Sequence, residues 1–143
     1  MTPKIIYMTN IDRRYFMMRR ALDELIADGE MPASSQVVKT EDGSVWSASW
    51  EEKLRGSALV MIRFMGNTIR TKFWTACMHF LSREGIPYYM DAAGSAEEEC
   101  IERVAAKDIA AMKAYSFYGG LTNYKNLWLY ARSLFDQGAP DAE

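Results

Sequence analysis

The chain has 143 residues, 49% of them apolar and 13% aromatic. That is one domain's length, with enough apolar side chain to build a real core without staples, and it excludes a disordered chain. A formal net charge of −2 argues against a nucleic-acid or membrane-surface partner, since both normally require a basic face.

In chain order, Lys4 to Met8 (KIIYM) reads as the first strand. Thr9, Asn10 and Asp12 follow as turn residues, with Asn10 or Asp12 able to cap the next helix. From Arg13 to Asp28, Tyr15, Met18, Leu22, Leu25 and Ile26 recur at helical steps and form one apolar stripe. Gly29 ends it. Ser35 to Thr40 (SQVVKT) is a weaker second strand leading to a turn at Asp42-Gly43. Trp46, Trp50 and Leu54 suggest a short helix, with Ser49 and Glu52 spaced as a capping box. Ala58 to Ile62 is an apolar run without polar alternation, closed by Arg63 and Phe64, the pattern of a strand covered on both faces.

Gly66 and Asn67 then turn the chain, and Ile69, Phe73, Ala76, Cys77 and Phe80 line a helix running to Glu84. Gly85 stops it and Ile86 to Met90 (IPYYM) forms another strand. After a turn at Asp91 to Gly94, Ser95 and Glu98 resemble a second capping box, opening a helix towards Asp108. Ile109 to Tyr118 also reads as helical. Gly119-Gly120 breaks that pattern, and a last helix from Thr122 to Phe135 carries Tyr124, Leu127, Trp128, Ala131, Leu134 and Phe135 as its stripe. A single domain over residues 1–136 and a frayed polar tail over 137–143 are expected.

Strands alternating with helices predict an α/β fold: a three-layer α/β/α, flavodoxin- or Rossmann-like parallel sheet of about four strands in the order 2-1-3-4, with extra C-terminal helices. That order reverses between the strands at Lys4–Met8 and Ala58–Phe64. A crevice is expected above their carboxyl ends, flanked by Thr9, Asn10, Asp12, Arg63, Gly66, Asn67 and Thr68, with Asp91 on the same side. Arg63 stands out. An arginine closing a buried strand either pairs with a carboxylate such as Asp12 or Asp91, or recognises an anionic ligand.

Other chemistry is poorly supported. His79 follows Cys77 by two residues on one helix, so the two point about 200° apart and cannot share a metal. No metal site is expected, and the ten methionines read as core filling. A phosphate could sit at Gly66-Asn67-Thr68, but neither GxGxxG nor GxxxxGK[ST] occurs. No nucleophile–base pair is evident, so no catalytic residue is assigned. Cys77 and Cys100, without CxxC spacing, suggest free thiols in a reducing compartment. The apolar run after Lys4 is broken by Asp12, Arg13 and Arg14, which is unlike a signal peptide, and a cytoplasmic location is the expectation.

Two segments carry a family resemblance: Leu59-Val60-Met61-Ile62-Arg63-Phe64-Met65-Gly66, and Gly119-Gly120-Leu121-Thr122-Asn123-Tyr124-Lys125-Asn126-Leu127. With Gly85-Ile86-Pro87 between them, the chain resembles the amino-terminal part of the large subunit of the ATP-dependent metal chelatases. That family comprises the cobaltochelatase of cobalamin biosynthesis and the related H subunit of magnesium chelatase. The resemblance implies a ligase-type parent forming nitrogen–metal bonds, with ATP and Mg handled by partner subunits and no cofactor in this domain. It implies a share in binding a tetrapyrrole such as a corrinoid, or in docking the rest of the large subunit and the ATPase subunits. Members of that family are much longer, so this segment alone is expected to be inactive. Gly119, Gly120 and Asn123 join the candidate ligand residues on this basis. A second reading is a stand-alone α/β domain that binds a phosphorylated small molecule or nucleotide between the first and third strands. On the first reading the tryptophans Trp46, Trp50, Trp74 and Trp128 are candidates for an exposed apolar patch where the remainder of a large subunit would pack.

Overall fold

A computed structural model describes residues 3–41, 44–63, 72–90 and 120–136. The helices expected between Ser95 and Tyr118, the Asp42-Gly43 turn and residues 137–143 lie outside them. So do Cys100 and the candidate residues Gly66, Asn67, Thr68, Asp91 and Gly119. The described elements are β1 (Ile5–Thr9), α1 (Asp12–Ala27), β2 (Gln36–Lys39), α2 (Ala48–Leu54), β3 (Leu59–Arg63), α3 (Lys72–Glu84), β4 (Tyr88–Met90) and α4 (Leu121–Asp136). The strands form a parallel sheet in the order β2-β1-β3-β4. Beta4 contributes only three residues, pairing Val60 with Tyr88 and Ile62 with Met90.

Beta1 and β3 lie inside the sheet and are covered on both faces, which is why their sequences show no polar alternation. Strand periodicity sends alternate residues to opposite layers. Ile5, Tyr7, Leu59 and Met61 meet α1 and α4 through Met18, Leu22, Leu127 and Trp128. Ile6, Met8, Val60 and Ile62 meet α2 and α3 through Leu54, Phe73, Cys77 and Phe80. Met8, Met18, Met31 and Met61 are buried core residues.

Alpha1 and α4 run in the same direction. Arg14 lies over the Tyr124 ring near the start of both helices, and Trp128 Nε1 donates to the Met18 carbonyl at 3.0 Å further along. Arg132 donates to the Glu30 carbonyl just past the end of α1. Lys125 Nζ also reaches Glu24 at 2.6 Å, and this bond holds the Glu24 carboxyl below the usual range. Alpha1 stops where Gly29 adopts φ 76°. The Glu30 amide then bonds the Leu25 carbonyl at 2.8 Å and the Gly29 amide bonds that of Ile26 at 3.0 Å. A Cβ at Gly29 would meet nothing within 4 Å, so Gly29→Ala is expected to cost only the backbone term, about 1 kcal/mol. Denaturant unfolding midpoints measure it, and an unchanged midpoint would contradict the cap.

Three sequence expectations are corrected here. First, neither Asn10 nor Asp12 caps α1. The N-cap is Ile11, without a side-chain cap bond, and the buried Thr9 Oγ1 accepts the Ile11 amide at 3.0 Å. Second, Ser49 does not open a capping box. Ala48 already begins α2 after Ser47, whose hydroxyl meets that of Ser49 at 3.0 Å.

Third, the tryptophans do not form one exposed patch. Trp74 and Trp128 are 2% and 0% exposed, because each falls on the inward stripe of its helix. Trp46 and Trp50 are half-buried, stacked on each other at 6.2 Å and edge-on to Phe73 at 5.4 and 5.0 Å.

His79 is exposed, as its place on the polar face of α3 predicts. Cys77 is fully buried, and desolvation pushes its thiol from 9.0 up to about 12. In a Cys100→Ser variant the remaining thiol is expected to resist a thiol reagent in the native state and react fully in denaturant. Rapid native labelling at neutral pH would contradict this burial. Between pH 9.0 and about 12 an unfolded thiol releases a proton that the native one holds, so stability falls as pH rises through that window.

Candidate functional site

The parallel order makes the carboxyl ends of β1 and β3 the place where connections diverge, β1 leading to β2 on one side and β3 to β4 on the other. Thr9 ends β1, and the register pairs it with Lys39 of β2 and Arg63 of β3. Residues paired across a sheet share a face. Lys39, Thr9 and Arg63 therefore form one row on the side covered by α1 and α4, with a buried hydroxyl residue between two cations.

Helix direction brings further candidates to this edge. As the crossover from β1 to β2, α1 starts at the carboxyl end, where Asn10 and Asp12 sit. Because α4 runs parallel to α1, its amino end lies at the same edge. There Gly120 accepts the Asn123 and Tyr124 amides at 3.0 and 3.1 Å. Asn10, Asp12, Arg63, Gly120 and Asn123 are thus assembled from three elements at one edge of the sheet. Both helix starts add partial positive charge there.

The sequence reading did not pick out Lys39, and the structure gives it a central part. Its ammonium reaches Asp12 at 2.6 Å and Glu41 at 3.2 Å, and lies 6.0 Å from the centre of the Tyr15 ring. The hydrogen bond that Lys39 donates to Asp12, and after it the one it donates to Glu41, raises the Lys39 pKa. Lys39 therefore remains charged throughout the physiological range. Of the two carboxylates considered for Arg63 in the sequence, Asp12 pairs with this lysine and Asp91 lies outside the described residues. One signal was available: Lys39 is the basic residue that closes QVVK, as Arg63 closes LVMIR.

Chemically the edge carries the Arg63 guanidinium, the Lys39 ammonium paired with Asp12 and Glu41, and amide side chains at Asn10 and Asn123, while the Thr9 hydroxyl is buried beneath them. That set suits carboxylate and amide groups of a ligand. Among the described residues no group of three or more His, Cys, Asp or Glu is placed to hold a metal ion. Nor is any described helix long and apolar enough to cross a membrane.

No family model matches the chain, and no curated protein matches it by sequence. Among solved structures, the fold is similar to that of the catalytic subunit of cobaltochelatase from Mycobacterium tuberculosis. The superposition has a TM-score of 0.67 with 15% identity and covers 94% of this chain. It spans 10% of that subunit's length.

Proposed function

We propose that this chain is the counterpart of the amino-terminal domain of a cobaltochelatase-type large subunit. In this reading it helps to hold a tetrapyrrole, of the corrinoid kind, or to dock subunits during ATP-dependent metal insertion. The observation that carries the reading is the fold likeness to the cobaltochelatase subunit over 94% of the chain. The Arg63 and Lys39 cations and the Asn10 and Asn123 amides at the carboxyl edge support it, since a corrinoid presents carboxylate and amide arms. ATP and Mg belong to partner subunits in this reading, cobalt is a substrate, and the remainder of a large subunit supplies the insertion chemistry. The domain binds and does not turn over.

The test is a titration of the full chain with a metal-free corrinoid bearing free carboxylate and amide arms, followed by tryptophan fluorescence and equilibrium dialysis. Saturable binding with energy-transfer quenching is expected. Unchanged fluorescence and no retention at high micromolar corrinoid would overturn substrate handling.

The second reading, a stand-alone domain for a phosphorylated small molecule or nucleotide, draws on the same Lys39–Thr9–Arg63 row beside the start of α1. Saturable retention of a nucleotide in the same dialysis, with no retention of corrinoid, would favour it.

A further inference from the structure

We propose that the outer face of α1 is a two-fold interface on which a second copy of this chain docks antiparallel. Arg13, Phe16, Arg20, Asp23 and Ala27 recur at three- and four-residue steps and all are exposed, so they form one line along the helix. Phe16 is 64% exposed, and only Val45 matches it among the described large hydrophobic residues. Its ring meets Tyr15 edge-on at 5.4 Å and otherwise stands in water between Arg13 and Arg20.

The charge order of α1 points to the occupant. After Asp12 in the first turn, the exposed charges of α1 run from Arg13, Arg19 and Arg20 to Asp23, and the exposed Asp28 and Glu30 follow its end; the last turn holds no basic residue. Apart from Asp12, a helix dipole favours the opposite order. With the two-fold axis level with Met18, Arg13 faces Asp23 of the second copy, and Phe16 faces its Arg20. Each dimer then gains two ion pairs and two cation–π contacts.

The intrahelical pairs Arg19–Asp23 at 4.0 Å and Arg20–Glu24 at 3.5 Å are long and exposed, so they compete weakly. A helix of this length extends about 24 Å, and one such pair covers less than the roughly 1,200 Å² of an ordinary stable interface. The dimer is therefore weak and salt-sensitive. It does not depend on what the carboxyl edge binds.

Sedimentation equilibrium of the full chain tests the pairing. At low salt the average mass is expected to rise from 16.3 kDa towards twice that value with concentration, and to fall back in high salt. Phe16→Ser is expected to remain monomeric. Arg13→Asp and Asp23→Arg should each weaken association about tenfold, and the two together should restore it to within about threefold. All three positions are exposed, and circular dichroism checks that the variants fold. A chain that stays monomeric at every concentration would overturn the proposal. So would a double reversal no better than either single one, the result expected if the arginines serve an acidic protein instead.

Discussion

Trp128→Ala is expected to remove about 3–5 kcal/mol of stability, a large part of the 5–15 kcal/mol that holds an ordinary domain together. The indole is completely buried where α1, α4 and the sheet meet, 6.4 Å from the Tyr7 ring, and its N–H donates to the Met18 carbonyl at 3.0 Å. Removing it opens a cavity in the layer that sets how α4 lies on α1, and so where Gly120 and Asn123 stand. Trp128→Phe keeps most of the volume and loses the hydrogen bond, so its cost should be about 1–2 kcal/mol. Trp50→Ala should also cost less than Trp128→Ala, because Trp50 is half in water. Urea unfolding midpoints decide the ranking. Equal losses at Trp128 and Trp50 would contradict the assignment of Trp128 to the core.

Arg63→Ala and Lys39→Ala are each expected to weaken binding of a carboxylate-bearing corrinoid by about tenfold or more, the loss of one charge-assisted contact. Neither should change stability by more than about 1 kcal/mol, because both sit at the rim of the sheet rather than in its core. Lys39→Ala also releases Asp12 and Glu41, leaving two exposed carboxylates facing the ligand. Its effect should therefore be the larger and the more sensitive to salt. Lys39→Arg keeps the charge and should recover most of the affinity. Affinity unchanged in both alanine variants would remove the row as a binding edge while leaving the fold intact.

Much of the sheet was legible because burial on both faces leaves a plain signature. Ile5-Ile6-Tyr7-Met8 and Leu59-Val60-Met61-Ile62 have no polar break, so they read as inner strands, and they pair in parallel. The stripes of α1 and α4 were legible for the same reason, since Met18, Leu22, Leu25, Tyr124, Leu127 and Trp128 turn inward together. Caps were misread because they depend on backbone angles at one residue. Thr9 Oγ1, one residue before Asn10 and three before Asp12, takes the Ile11 amide, and Asp12 turns to Lys39.

Lys39 was missed because its importance comes from lying next to Thr9 across the sheet, which no local pattern encodes. The four tryptophans look alike in sequence. Only packing separates the buried Trp74 and Trp128 from the half-buried Trp46 and Trp50. Arg63, chosen for closing a buried strand, takes its place in the row with Thr9 and Lys39. Asn123 was chosen by resemblance, and only the parallel run of α1 and α4 puts it at the same edge.

In the proposed function an anionic macrocycle binds where β1 and β3 end. Amide chemical shifts of the isotope-labelled chain, recorded while the corrinoid is added, test it most directly. Shifts are expected to concentrate at Thr9, Asn10, Lys39, Arg63, Gly120 and Asn123. Shifts confined to the opposite edge, at Ser35 and Ser57, or no shifts at saturating corrinoid, would contradict it.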